Sequence, residues 1–138
     1  MIRRLLYYMN GSRYELGLKN FKEIYGEIGT KILENLNHIS PDMSRYIIEF
    51  AFGEIYNRKG LDLKAREIVT ISSLLTMGNA KPQLKSHIHG ALNVGWTRDE
   101  IMEIAIQILL YSGFPNSLNG LQIMKEVFEE RDNKGIQN

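Results

Sequence analysis

Apolar residues in this chain recur at steps of three and four, and each such segment is bounded by helix start and stop signals. This restricts the fold more than any other feature, because side chains spaced that way share one face only when the backbone is α-helical. Over residues 12–36 the stripe is Leu18, Phe21, Ile24, Tyr25, Ile28, Ile32 and Leu36. Ser40-Pro41-Asp42 opens a second helix: Ser40 caps, Pro41 suits the first helical position and Asp42 complements the dipole. It runs to about Tyr56 and stops in the turn over 57–60. Asp62 caps a third helix that reaches Met77 and is closed by Gly78-Asn79. Inside it, Ile68-Val69-Thr70-Ile71 is β-branched enough for a strand. With no alternation and no hairpin signal beside it, this stretch is assigned to the helix. Pro82 opens a fourth helix ending at Gly95. Thr97 and Glu100 form a capping box for a fifth over about 98–112, apolar on most of its circumference and therefore central or at a subunit interface. Gly113 and Pro115 break it before a last amphipathic helix, and the tail from Arg131 is polar and frayed. These signals predict an all-α chain of about six helices in a single domain over 1–138.

Charge and composition narrow the function. Seventeen basic residues face 16 acidic ones, for a net charge of +1, too little field for an electrostatic case for nucleic acid or an anionic membrane. Without cysteine the chain has no disulfide, thiolate metal site or dithiol redox chemistry of its own. The apolar run over 5–9 is shorter than the roughly 7–15 residues of a secretion signal. No other stretch approaches the about 20 residues of a membrane span. A cytoplasmic location is expected.

Three histidines remain for chemistry: His38, His87 and His89. His38 sits in a polar turn. Successive helical residues advance about 100°, so His87 and His89 point about 200° apart and cannot bind one metal on a single face. His87 shares a side with Leu84, Ala91 and Val94, the core side; His89 shares one with Lys85 and Asn93, the wet side. A buried imidazole needs a partner, since leaving it without one costs roughly 1–3 kcal/mol. Glu54 and Glu67 are the candidates. Glu67 has Leu63, Ile68, Ile71 and Leu74 around it, although pairing with Arg66 or Lys64 at the surface is the plain alternative. Glu54, taken singly, reads as a solvated helix residue. Arg66 and Arg58 are able to clamp a carboxylate with two parallel hydrogen bonds.

Three blocks within 52–130 resemble the carboxymuconolactone decarboxylase family. Phe52-Gly-Glu-Ile-Tyr-Asn-Arg-Lys-Gly-Leu61 is similar to its W-G-E-x-W-x-R-x-G-L, with Phe52 and Tyr56 in place of tryptophans. Leu84-Lys-Ser-His-Ile-His-Gly-Ala-Leu-Asn-Val-Gly95 is similar to L-x-x-H-x-R-x-A-L-N-x-G, with His89 in place of arginine. The segments from Trp96 to Glu103 and from Tyr111 to Pro115 resemble its G-x-T-x-x-E-I-x-E and Y-x-G-x-P blocks. The resemblance implies an alkyl hydroperoxidase D-like helical fold and a homotrimer or homohexamer. It also implies decarboxylation of a small carboxylated lactone, such as 4-carboxymuconolactone, with no cofactor and no metal. His87 would then give the proton, oriented by Glu67 or Glu54, while Arg66, His89, Arg58 and Tyr56 would bind the substrate. Two other functions belong to the same fold. A thiol peroxidase needs a cysteine pair, and those positions are Ala80 and Gln83 here. A non-catalytic oligomeric protein that only binds the ligand is the other.

Overall fold

The computed structural model describes residues 11–136; the apolar run over 5–9 lies outside them. Among the described residues every regular element is helical. They are α1 (Gly11–Ile39), α2 (Pro41–Tyr46), a π-helical segment (Ile47–Ile55) continuing from it, α3 (Leu63–Met77), α4 (Lys81–Asn93) and α5 (Arg98–Asn133). The chain divides into two compact units, one ending at Asp62 and the other beginning at Leu63.

In the first unit the long N-terminal stripe is present but not straight. Gly26 takes φ 53 and ψ −133, a conformation open to glycine, and kinks α1 there. Phe21, Ile24 and Tyr25 of α1 are buried with Ile48 and Phe52 of the π-helical segment. Ser40 caps α2 as expected, its hydroxyl accepting from the Met43 N–H at 3.3 Å. The helix expected to continue unchanged to Tyr56 instead switches register at Ile47. The Tyr56 N–H, for instance, reaches the Ala51 carbonyl five residues back at 2.8 Å. The switch occurs where two backbones touch. A Cβ on Gly17 would lie 1.9 Å from the Ile48 carbonyl oxygen, and one on Gly53 would lie 2.3 Å from that of Arg13. Asn20 supports the same contact by donating to the Phe52 carbonyl at 2.9 Å. Side-chain spacing alone does not reveal such a register.

In the second unit α3, α4 and α5 share one core, built on Ile71, Leu75, Ile88, Ala91, Ile101, Ala105, Met124 and Val127. The β-branched stretch 68–71 is helical, as read. Ile71 enters the core and Ile68 packs against it, and that burial outweighs propensity. The capping box forms, with the Thr97 hydroxyl accepting from the Glu100 N–H and the Glu100 carboxylate accepting from the Thr97 N–H. Gly113, at φ 78 and ψ 170, breaks α5 into runs over 98–112 and 114–133. At the break Asn116 donates to the Thr76 carbonyl at 3.1 Å. Arg98, at the start of α5, forks onto Asp132 near its end at 2.6 and 3.1 Å. The tail is not frayed from Arg131. That side chain is buried and donates to Asn93 Oδ1 at 3.0 Å, and the helix continues to Asn133. No helix of the described residues is long and apolar enough to cross a membrane.

The glycine contact supplies a test of the first unit. Gly17→Ala should lower stability by roughly 2–3 kcal/mol in chemical denaturation, because backbone and not a flexible side chain blocks the new methyl. Gly60→Ala, where nothing lies within 4 Å, should change it by no more than about 0.5 kcal/mol.

Candidate active site

The second unit brings together a carboxyl group and an imidazole that lie 20 positions apart in sequence. α3 turns Glu67 inward, beside Ile71 and Leu75 on the same face, until its side chain is 0% exposed. α4 presents His87 on the flank that faces α3, with its side chain 15% exposed. Nδ1 of His87 lies 2.9 Å from Oε2 of Glu67. An ionised carboxylate only accepts, so against that form of Glu67 it is Nδ1 that carries the proton. Glu67 is buried and not at the surface. Lys64 instead lies over the Trp96 ring at 4.3 Å, while the indole N–H donates to the Lys64 carbonyl at 2.8 Å. Arg66, next to Glu67, is partly exposed on α3.

His89 corrects the helical-wheel assignment. It is not on a wet side: its side chain is 5% exposed, more deeply enclosed than that of His87. The wheel assumed one covered flank, but α4 is covered on two, by α3 and by the second half of α5. His89 Nε2 lies 3.3 Å from Glu130 Oε2, and Glu130 also holds the Lys85 ammonium. Its Nδ1 is buried with no hydrogen-bond partner among the described residues. This ring is engaged by the protein and is not placed to hold a substrate carboxylate. Glu130 went unnoticed in the sequence because it lies 41 positions away. A usable signal did exist: Glu126 and Glu130 are four apart, as are Lys81 and Lys85.

The other site residues read from the sequence, Glu54, Tyr56 and Arg58, belong to the first unit. Glu54 is exposed and takes a hydrogen bond from Arg13 at 3.2 Å. The Tyr56 ring packs on Phe52 with centroids 4.7 Å apart, and Phe52 meets Phe21 edge-on at 5.0 Å. The two positions that differ from the family's tryptophans therefore form part of an aromatic cluster. Arg58 is exposed in the turn after it. Among the described residues no group of three or more His, Cys, Asp or Glu side chains converges in a way that would hold a metal ion.

Electrostatics separate the two partners of the buried network. Burial pushes His89 below the ordinary imidazole value, against the bond to Glu130 and with the help of nearby Arg131 and Lys134. Partial burial works to raise Glu130, but its bonds to Lys85 and His89 hold it below the usual carboxylate range. The sign for stability follows. Since the folded state resists protonating His89, the unfolded chain takes up that proton first, at about pH 6.5. Stability contributed by neutral His89 is therefore present above about pH 6.5 and is lost as the pH falls below it. Wild type should lose stability relative to His89→Gln between pH 7.5 and 5.5 in urea titrations; a constant difference would contradict this assignment.

Comparison with known proteins finds relatives over most of the chain. The family model described as "Carboxymuconolactone decarboxylase family" matches residues 41–126. A 4-carboxymuconolactone decarboxylase from Acinetobacter baylyi is 37% identical over 119 residues, covering 86% of this chain and 88% of that protein. An uncharacterised 15.0 kDa protein of Paracoccus denitrificans is 34% identical over 98 residues, 70% of this chain and 73% of its own length. A nitrosuccinic acid decarboxylase from Metarhizium robertsii is 28% identical over 123 residues, 88% of this chain and 85% of that enzyme. The extent of the family match and the first of these relatives establish that the chain belongs to the carboxymuconolactone decarboxylase family.

Proposed function

We propose that this chain is a carboxy-lyase acting on a small carboxylated lactone, 4-carboxymuconolactone or a close analogue, with His87 as the proton donor. The observation that carries the proposal is the sealed Glu67 carboxyl bonded to the His87 ring. Two relatives named as decarboxylases support the reaction class. Their named substrates share one chemical property: each contains its own acceptor for the electron pair that carbon dioxide leaves behind. In the lactone it is the ring carbonyl, reached through the ring double bond; in nitrosuccinic acid it is the nitro group. With the electron sink inside the substrate, the chemistry calls for neither a metal nor an organic cofactor.

The steps balance simply. The carbon–carbon bond to the carboxylate breaks and carbon dioxide departs. The bonding pair moves through the ring double bond onto the lactone carbonyl, giving an oxyfuran-type anion. The His87 imidazolium then delivers its Nε2 proton to the ring carbon, leaving the neutral ring protonated at Nδ1, and a proton from solvent restores the imidazolium before the next turnover. Glu67 holds Nδ1–H and so fixes which nitrogen acts. Arg66 is the cation on α3 assigned to the substrate carboxylate or the oxyanion, a task that the guanidinium fork suits. Glu54, Tyr56 and Arg58, which lie in the first unit, are left out of the substrate-binding set. His89 is dropped from that set because Glu130 engages it.

His87→Gln should lower kcat on 4-carboxymuconolactone by roughly 10²–10⁴-fold, followed as carbon dioxide release, with a smaller effect on KM. Wild-type turnover in that variant would sink the assignment. We also propose assembly as a homotrimer or homohexamer. Along α5, Ile106, Leu110, Tyr111, Phe114 and Leu118 are 52% to 81% exposed, an apolar stripe larger than scattered surface residues account for. Light scattering should give three or six times the 15.9 kDa chain mass, and Leu110→Glu should reduce it.

A further inference from the structure

α4 carries Lys81, Lys85, His89 and Asn93 at every fourth position, a single stripe along its whole length. Each meets a polar group on the second half of α5. Lys81 Nζ donates to Glu126 Oε1 at 3.0 Å. Lys85 and His89 both reach Glu130, the latter at 3.3 Å. Asn93 Oδ1 accepts from Arg131 Nη1 at 3.0 Å. The result is a ladder of four rungs, two of which converge on one carboxylate.

Position 87 lies about 200° around the helix from 85 and 89. His87 is therefore on the opposite flank, where Glu67 accepts its Nδ1–H. Apolar contacts through Ile88 and Leu84 hold the helix down but are non-directional; hydrogen bonds have direction. With a radius of about 5–6 Å including side chains, a rotation of roughly 10° about the helix axis moves a side-chain atom by about 1 Å. A hydrogen bond of 2.9 Å does not survive that displacement intact, and misplacement by about 1 Å is enough to cost a catalytic group about 10²-fold. We infer that Glu130, gripping Lys85 and His89 together, is a positioning residue that sets the rotation of α4 and thereby aims His87. This rests on the proposed role of His87 as the proton donor.

The test uses the full chain labelled with ¹⁵N and follows the ring-nitrogen signals of its three histidines in wild type, Glu130→Ala and Lys85→Met. Loss of positioning moves the His87 signals in the same direction in both variants, toward those of the exposed His38. A simple change of electric field moves them in opposite directions, because the charges removed have opposite sign. Opposite shifts, or His87 signals that stay fixed while those of His89 move, would overturn the inference. Should Glu130→Ala fail to fold, Glu130→Gln, which removes the same charge from a side chain of the same size, takes its place beside Lys85→Met with the same shared direction expected. With 4-carboxymuconolactone, Glu130→Ala should lower kcat about tenfold or more and leave KM within about twofold. If wild type fails to turn over the lactone, the proposed reaction is at fault, while the ring signals still decide whether Glu130 aims His87.

Discussion

A carboxyl group with no access to water has to find its partner inside the protein, and Glu67 is such a group. Removing an acid from solvent without compensation costs several kcal/mol, a large part of the marginal stability of a small domain. The ring of His87 meets that requirement, and most of the second unit is arranged around keeping it there. α3 must turn Glu67 inward, α4 must run alongside with its 87 flank facing α3, and α5 must fold back to cover the other flank. Such a pair gains from staying dry, since hydrogen bonds strengthen where water is excluded.

Helices, their capping residues and their breaks were legible because each is encoded locally. The Ser40-Pro41-Asp42 start, the Thr97–Glu100 box and the break at Gly113 depend on residues within a few positions of one another. The pairing of Glu67 with His87 was half legible: the pattern put both near apolar neighbours but left open whether Glu54 or Glu67 faces His87. His89 was misread for a physical reason. A polar stripe looks solvated on a wheel, yet a second helix with complementary charges covers it as well as an apolar one would. Lys85, His89 and Asn93 were grouped correctly; the helix across from them was invisible. The π-helical register at 47–55 and the touching backbones at Gly17 and Gly53 were equally hidden, since neither leaves a mark on apolar spacing.

Departures from the family pattern fall into two kinds. Phe52 and Tyr56 stand where tryptophans are usual, and they keep an aromatic cluster with Phe21 and Tyr25. That exchange preserves the kind of packing while altering its shape. At position 89 a histidine replaces arginine and brings into a buried polar network an imidazole that burial pushes below its ordinary value. Ala80 and Gln83 stand where a thiol peroxidase of this fold would need its cysteine pair.

The ladder along α4 also bears on how the protein is made. Glu67 and His87 are 20 positions apart, whereas the rungs to Glu126 and Glu130 span 41 to 45. During translation the chain emerges from its N-terminal side at about 5–20 residues per second, so α3 and α4 are available to each other seconds before the end of α5 exists. The inner pair has the shorter loop to close, and the ladder over the far flank of α4 has to wait for the second half of α5.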